Sequence, residues 1–227
     1  MFSSTFLRAR SDEQRQARRA AILETAAQML AAGTRVADLS LNELSRQVGL
    51  AKSNVLRYFE TREAVLLELL DAEQRAWLDE VEHLLAEPAH EDADGVERLA
   101  NVLSRTLASR PVLAELLASS AGVLEHNVSV DVAVSFKRRA TEQALRLVRV
   151  AERAVGPLPP ASGLALAGAV NLVAGGAWTA CRPSPGMRAA YEQHPDLAAL
   201  SLDYRVAVRE LVATVPAGVL ARPVRLG

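Results

Sequence analysis

The chain has almost no cysteine, few aromatics and almost no lysine. Cys181 is the single cysteine among 227 residues, so no intrachain disulfide can form and a reducing compartment is expected. Only 4% of residues are aromatic although half are hydrophobic. Alanine, leucine and valine supply the apolar content, which suits an all-α bundle. No segment of useful length alternates with the period of a strand, and no internal repeat is visible. Lys52 and Lys137 are the only lysines; arginine carries the remaining positive charge. The four histidines, His83, His90, His126 and His194, are scattered. There is no His-Glu-x-x-His, Cys-x-x-Cys, nucleophile elbow or phosphate-binding glycine loop, which argues against an enzyme of those classes. Glu82, His83, Glu87 and His90 could meet near a helix end and hold a metal, but an acidic solvated face describes them better. No catalytic residue, metal or cofactor is expected.

Long uncharged stretches are nearly absent too. Met1 to Gln16 carries Arg8, Arg10, Asp12 and Glu13 and has no apolar core, so it does not read as a signal peptide. Val155 to Cys181 is free of charge, and its length raises the question of a membrane span. It also holds three prolines, five glycines, Ser162, Asn171 and Thr179. A helix buried in a bundle or dimer accounts for it, without a membrane. A cytoplasmic protein is expected.

The near-zero net charge hides an asymmetry. Residues 1–62 carry ten basic and six acidic side chains, +4; residues 63–227 carry sixteen and twenty-one, −5, which returns the formal −1. A basic head on an acidic body suits a phosphate-facing module with a separate partner. Within the head, Ser40-Leu41-Asn42-Glu43 has the spacing of a capping box. Leu41, Leu44 and Val48 then mark one face of a short helix, and Gly49 permits a sharp turn. A second helix over about 52–58 turns Val55 and Phe59 inward and Lys52, Ser53, Asn54, Arg57 and Tyr58 outward. Two short helices about a glycine turn make a helix-turn-helix.

Residues 49–63, GLAKSNVLRYFETRE, resemble without a gap the DNA-binding signature of the tetracycline-repressor family of bacterial transcriptional regulators. That signature runs Gly-Val-Ser-Lys-Gly-Thr-Leu-Tyr-x-His/Tyr-Phe-x-x-Lys-Glu. Four of the departures from it bear on the chemistry. Ala51 replaces a capping serine, Asn54 a threonine or alanine, Leu56 a phosphate-touching tyrosine, and Arg62 a lysine. The strong resemblance spans about residues 15–70. It implies a ligand-responsive homodimer, a repressor released from a palindromic operator in double-stranded DNA by a small-molecule effector.

The expected layout is an arm over 1–10, a DNA-binding domain over 11–62 with its helix-turn-helix at about 40–59, a ligand-binding and dimerisation domain over 63–215, and a frayed tail over 216–227. Thr61 caps a long helix over about 62–86. Further helices are expected near 95–109, 111–124, 129–155, 160–181, 187–193 and 196–214, with breaks set by proline, glycine and asparagine. Ser53, Asn54 and Arg57 are the expected base contacts. Lys52, Tyr58 and Arg62 are expected on phosphates, with Ser40 and Thr61 offering helix N-termini there. Arg15, Arg18 and Arg19 could line the backbone. The expected dimer face combines Leu164 and Gly168 with Leu197, Leu200, Tyr204, Val208 and Leu211. Candidate pocket residues are His126, Phe136, Asn171, Trp178 and Cys181. The competing reading is a helical protein-binding adaptor without DNA binding.

Overall fold

The computed structural model describes residues 3–87 and 94–221, with side chains left out at 3–12, 199–200 and 219–220. His90, the rest of residues 88–93 and the end of the tail therefore lie outside the described residues, as does the side chain of Leu200. Among the described residues the fold is entirely helical. The head comprises α1 (Ser3–Ala31), α2 (Leu41–Val48) and α3 (Lys52–Val55). Helix α4 (Arg62–Ala86) leaves the head and enters the body. The body adds α5 (Gly95–Ala108), α6 (Pro111–Ser119) and a π turn (Ser120–Leu124). It continues with α7 (Val130–Val155), α8 (Pro160–Ala180), α9 (Pro185–Gln193), a 3₁₀ turn (Pro195–Leu200) and α10 (Tyr204–Ala221).

Three stretches differ from expectation. Helix α1 runs back to Ser3, through the boundary expected at residue 11 between the arm and the DNA-binding domain. No glycine or proline interrupts residues 3–31, and alanine, arginine, leucine, glutamate and glutamine all favour a helix. The helix expected over 196–214 is two elements. Asp203 separates them, its Oδ1 accepting from the Val206 N–H at 2.9 Å as a side-chain cap does. Helix α10 then continues past Pro216 to Ala221, although a proline there removes one ladder hydrogen bond.

Helix α4 holds the two halves together. Its buried residues run from Glu63 to Leu85 and include Leu66, Leu67, Leu70, Leu78 and Val81. This band is wider than the single stripe the periodicity suggests, because α1, α5, α6 and α7 all pack on it. The Trp77 Nε1–H donates to Thr106 Oγ1 at 2.9 Å, so the largest buried ring ties α4 to α5 with its polar atom satisfied.

Helix α8 is long and apolar enough to cross a membrane, but it packs against α6, α7 and α10. Leu166, Ala167, Val170 and Ala174 are buried, whereas Leu164 and Leu172 on the opposite side are exposed. It is thus a core helix with one open face, not one enclosed on nearly all sides. A Cβ on Gly175 would stand 2.9 Å from Leu117 C and Ala118 N, so glycine there sets how closely α8 approaches α6. Gly175→Ala should therefore lower stability by about 1–3 kcal/mol, read as an earlier urea unfolding midpoint with unchanged slope.

Candidate nucleic-acid interface and effector cavity

The head builds a helix-turn-helix on a small core of Ile22, Ala26, Leu39, Leu44, Val55 and Phe59, all buried. Ser40 Oγ accepts from the Glu43 N–H at 3.1 Å and so starts α2. The reciprocal half of the expected capping box is not made. The Glu43 carboxylate instead accepts from Arg46 and Gln47, and Arg46 holds it below the usual carboxylate pKa. Gly49 takes φ 73°, and its N–H and that of Leu50 close on the carbonyls of Arg46 and Ser45. Ala51 caps α3 with no side-chain hydrogen bond. Helix α3 is regular only over Lys52–Val55; Arg57 N–H to Asn54 O and Tyr58 N–H to Val55 O then continue it as tighter turns. Lys52, Ser53, Asn54 and Arg57 are exposed together on this element, Leu56 is also exposed, and Tyr58 is half-buried. Thr61 Oγ1 caps α4 through the Ala64 N–H at 3.1 Å.

Two arginines have structural work within the head. Arg62 donates Nη1 to Leu39 O at 3.0 Å, and Nε and Nη2 to Glu63 Oε1 at 3.0 and 2.8 Å. It braces the chain entering α2, a job that its expected place on phosphate did not foresee. Arg19 forks onto Glu68, donates to Tyr58 O at 2.6 Å and lies 4.3 Å from the Phe59 ring centre. It locks α1 to α4, while Arg15 and Arg18 remain exposed.

The head meets the body through two carboxylates. Glu60 of the head accepts from the Ser129 N–H at 2.7 Å, just before α7. Glu115 of α6 accepts from the Val36 N–H at 3.1 Å and, through its other oxygen, from Trp178 Nε1–H at 2.8 Å. The sequence reading missed Glu115. The signal was there: it is the single charge inside the apolar run of α6.

The five expected pocket residues divide. Phe136 and Asn171 line a cavity of about 480 Å³ between α4, α6, α7 and α8. Its walls also include Leu70, Leu117, Leu172 and Gln74, whose Nε2 donates to Asn171 Oδ1 at 3.3 Å. Lys137 and Glu125, paired at 2.6 Å, stand at its rim. Trp178 and Cys181 line a different cleft, nearer the head. His126 is exposed and lines neither. Asn171 and Trp178 share a helix without sharing a cavity. Burial raises the Cys181 thiol above its ordinary pKa, so it is a poor nucleophile. Gln74 was visible as a polar residue in an apolar stripe, but its pairing with Asn171 depends on how α8 crosses α4.

The expected dimer residues also separate. Val208 is fully buried on α10, the helix that packs along α5, and so belongs to the core of one chain. Tyr204 is half-buried, its ring edge-on to Trp178 at 5.3 Å. Leu197 lies on the 3₁₀ turn, out of line with α10. Leu164, Gly168 and Leu211 are exposed, as are Leu172 and Val206. The possible metal set near the end of α4 is otherwise engaged: Glu82 accepts two hydrogen bonds from Arg146, both at 2.8 Å.

A helix-turn-helix head on a helical body containing a cavity is the architecture of a one-component transcription regulator. The family model described as tetracyclin repressor-like, C-terminal domain, matches residues 71–223, and the chain belongs to that family of transcriptional regulators. No curated protein matches it. Among solved structures, the Bacillus subtilis transcriptional regulator FadR in complex with stearoyl-CoA is similar at 16% identity and a TM-score of 0.50. The alignment covers 86% of this chain and 97% of that one. A putative tetR family regulator from Shewanella sp. PV-4 is similar at 16% identity and TM-score 0.50, over 87% and 96% of the two chains. These likenesses concern the fold. The family's members regulate transcription and are not enzymes.

The local geometry gives two expectations. Ala51→Ser supplies the missing cap of α3 and should raise stability by about 0.5–1 kcal/mol in chemical denaturation. Arg62→Ala frees the Leu39 carbonyl and should speed amide hydrogen exchange across residues 37–41, which would stay unchanged if Arg62 served only as a surface charge.

Proposed function

We propose that the chain is a repressor that binds a palindromic operator as a homodimer and leaves it when a small molecule fills the 480 Å³ cavity. The supporting observation is the sorting of residues 52–59. Lys52, Ser53, Asn54 and Arg57 stand out to solvent while Val55 and Phe59 anchor them in the core. Asparagine can pair bidentately with adenine and arginine with guanine in the major groove. Ser53, Asn54 and Arg57 are the base contacts in this reading, and Lys52 and the Tyr58 hydroxyl touch phosphate. The capped N-termini at Ser40 and Thr61 lie beside the same strands. Arg62 braces this surface from behind.

One head makes too few contacts for tight specific binding, and two heads on a two-fold axis read a palindrome. The open apolar faces of the neighbouring helices α8 and α10, with Leu164, Gly168, Leu172 and Leu211, supply the dimer contact. The effector is amphipathic. Leucines and Phe136 take its apolar part, and the Gln74–Asn171 pair and Lys137 take its polar part. The relative FadR is named in complex with stearoyl-CoA, an amphipathic ligand of that kind. The effector acts by binding the DNA-free arrangement more tightly, and shifts the equilibrium by no more than that difference. The site of action is the chromosome, hence the cytoplasm.

The test is a gel-shift series on DNA flanking the protein's own gene, at several salt concentrations. Asn54→Ala should change the preferred sequence. Lys52→Ala should weaken all sequences alike and reduce the salt slope by about one unit. A folded, ligand-free dimer that binds no such DNA would favour the protein-binding adaptor.

A further inference from the structure

A second, polar cleft of about 740 Å³ lies where the head meets the end of α8. It adjoins the cavity assigned above to the effector, sharing Ala118 and Thr179 with it, but opens toward Arg35, Arg182 and Arg188 where that cavity is lined by Phe136, leucines and glycines. Arg35 forms the head wall of the cleft and Glu115 the α6 wall; Arg182 and Arg188 enter from beyond α8 and from α9. Three guanidinium groups thus line the cleft, of which Arg35 is paired with Asp38 and Arg182 stands beside Glu115, a carboxylate that is already engaged. Glu115 accepts from Val36 N–H and from Trp178 Nε1–H, and Arg182 Nη1 stands 3.6 Å from it. The Arg182 guanidinium carbon also stands over the Trp178 ring, 4.7 Å from its centre. Arg35 pairs with Asp38 on its own turn, and Arg188 is exposed and makes no ion pair among the described residues. The hydroxyls of Ser119, Thr179 and Ser201 complete the lining. Asp203 also acts on the Cys181 thiol of the cleft. The cleft therefore offers Arg188, without an ion pair among the described residues, and Arg182, whose contact with Glu115 is long, beside hydroxyl-bearing residues.

We propose that this cleft is a second ligand site, for a small organic anion that carries a phosphate or carboxylate together with hydroxyl groups. Guanidinium forks match such oxygens bidentately, and the pairing is stronger than a neutral hydrogen bond. The anion engages Arg182 and Arg188. Arg182 then turns from Glu115, and a negative group takes its place beside that carboxylate. Glu115 holds the backbone of the head at Val36, so the head registers occupancy at that one hydrogen bond. The site thereby gives the regulator a second input, independent of the apolar cavity.

Calorimetric titration of the full-length protein with citrate and with glucose 6-phosphate tests this, with glucose as the neutral control. At least one anion should bind and glucose should not. Arg182→Gln and Arg188→Gln should each weaken the anion roughly tenfold. Asn171→Leu, in the other cavity, should leave its affinity unchanged. Arg188 is exposed, so its replacement keeps the fold even if that of Arg182 does not. Saturation with the anion should raise hydrogen exchange at residues 34–38 several-fold. The site is refuted if neither anion binds, if glucose binds equally well, if Arg188→Gln binds undiminished, or if Asn171→Leu abolishes binding. Binding with unchanged exchange at Val36 refutes the link to the head. None of these readouts uses DNA, so their failure is separable from failure of the operator reading.

Discussion

Burial of α4 from both ends is the constraint on which the rest of the structure depends. One continuous helix lies under the head as Ala64, Val65 and Leu67 and under the body as Trp77, Leu78 and Val81. A flexible linker would let the two halves choose their angle. A capped helix buried on several sides does not, because bending it would open apolar contacts worth about 25 cal/mol per Å². Any rearrangement of the body must therefore appear at the head as a tilt of a rod, not as a slackening. The charged residues of α4 reinforce this. Asp71 pairs with Arg75 and Arg139 at 3.1 Å, Glu80 with Arg110 at 3.0 Å, and Asp79 and Glu82 share Arg146.

Arginine, so dominant in the composition, is used here as a joint between helices. Arg19, Arg110, Arg139 and Arg146 each pair with an acid of α4, and Arg62 at its start pairs with the adjacent Glu63 while reaching the Leu39 carbonyl. A planar fork can satisfy a carboxylate and a backbone carbonyl at once, as Arg19 and Arg62 do, where a lysine would offer only a point charge. The basic charge of the head is accordingly not all available to a phosphate backbone. Part of it is internal structure, Arg35 and Arg46 are exposed but paired with Asp38 and Glu43, and Arg15, Arg18, Lys52 and Arg57 are the exposed remainder among the described side chains.

The helix boundaries were largely legible in the sequence, because proline, glycine and capping side chains act locally. Gly49, Thr61 and Pro111 each mark the element edge their chemistry dictates. The exposed set on α3 was legible for the same reason, through Val55 and Phe59 pointing the other way. What was not legible depends on how distant elements cross. Periodicity placed Val208 on an apolar stripe but could not say that α5 covers it. Spacing placed Asn171 and Trp178 on one helix but could not say that α6 divides their surroundings into two cavities. Arg62 matched a charge pattern, yet its partner Leu39 lies across a loop. The break at Asp203 was a local signal and could have been read, since an aspartate three residues before a helical N–H is an ordinary cap.

The scarcity of lysine has a practical side. One of the two side-chain amines, Lys52, stands exposed on α3, and the other, Lys137, at the rim of the 480 Å³ cavity. An amine-selective reagent would thus tag the exposed helix of the helix-turn-helix and the cavity mouth and no other side chain of the molecule. Composition alone has furnished a pair of chemical reporters, one on the head and one on the body.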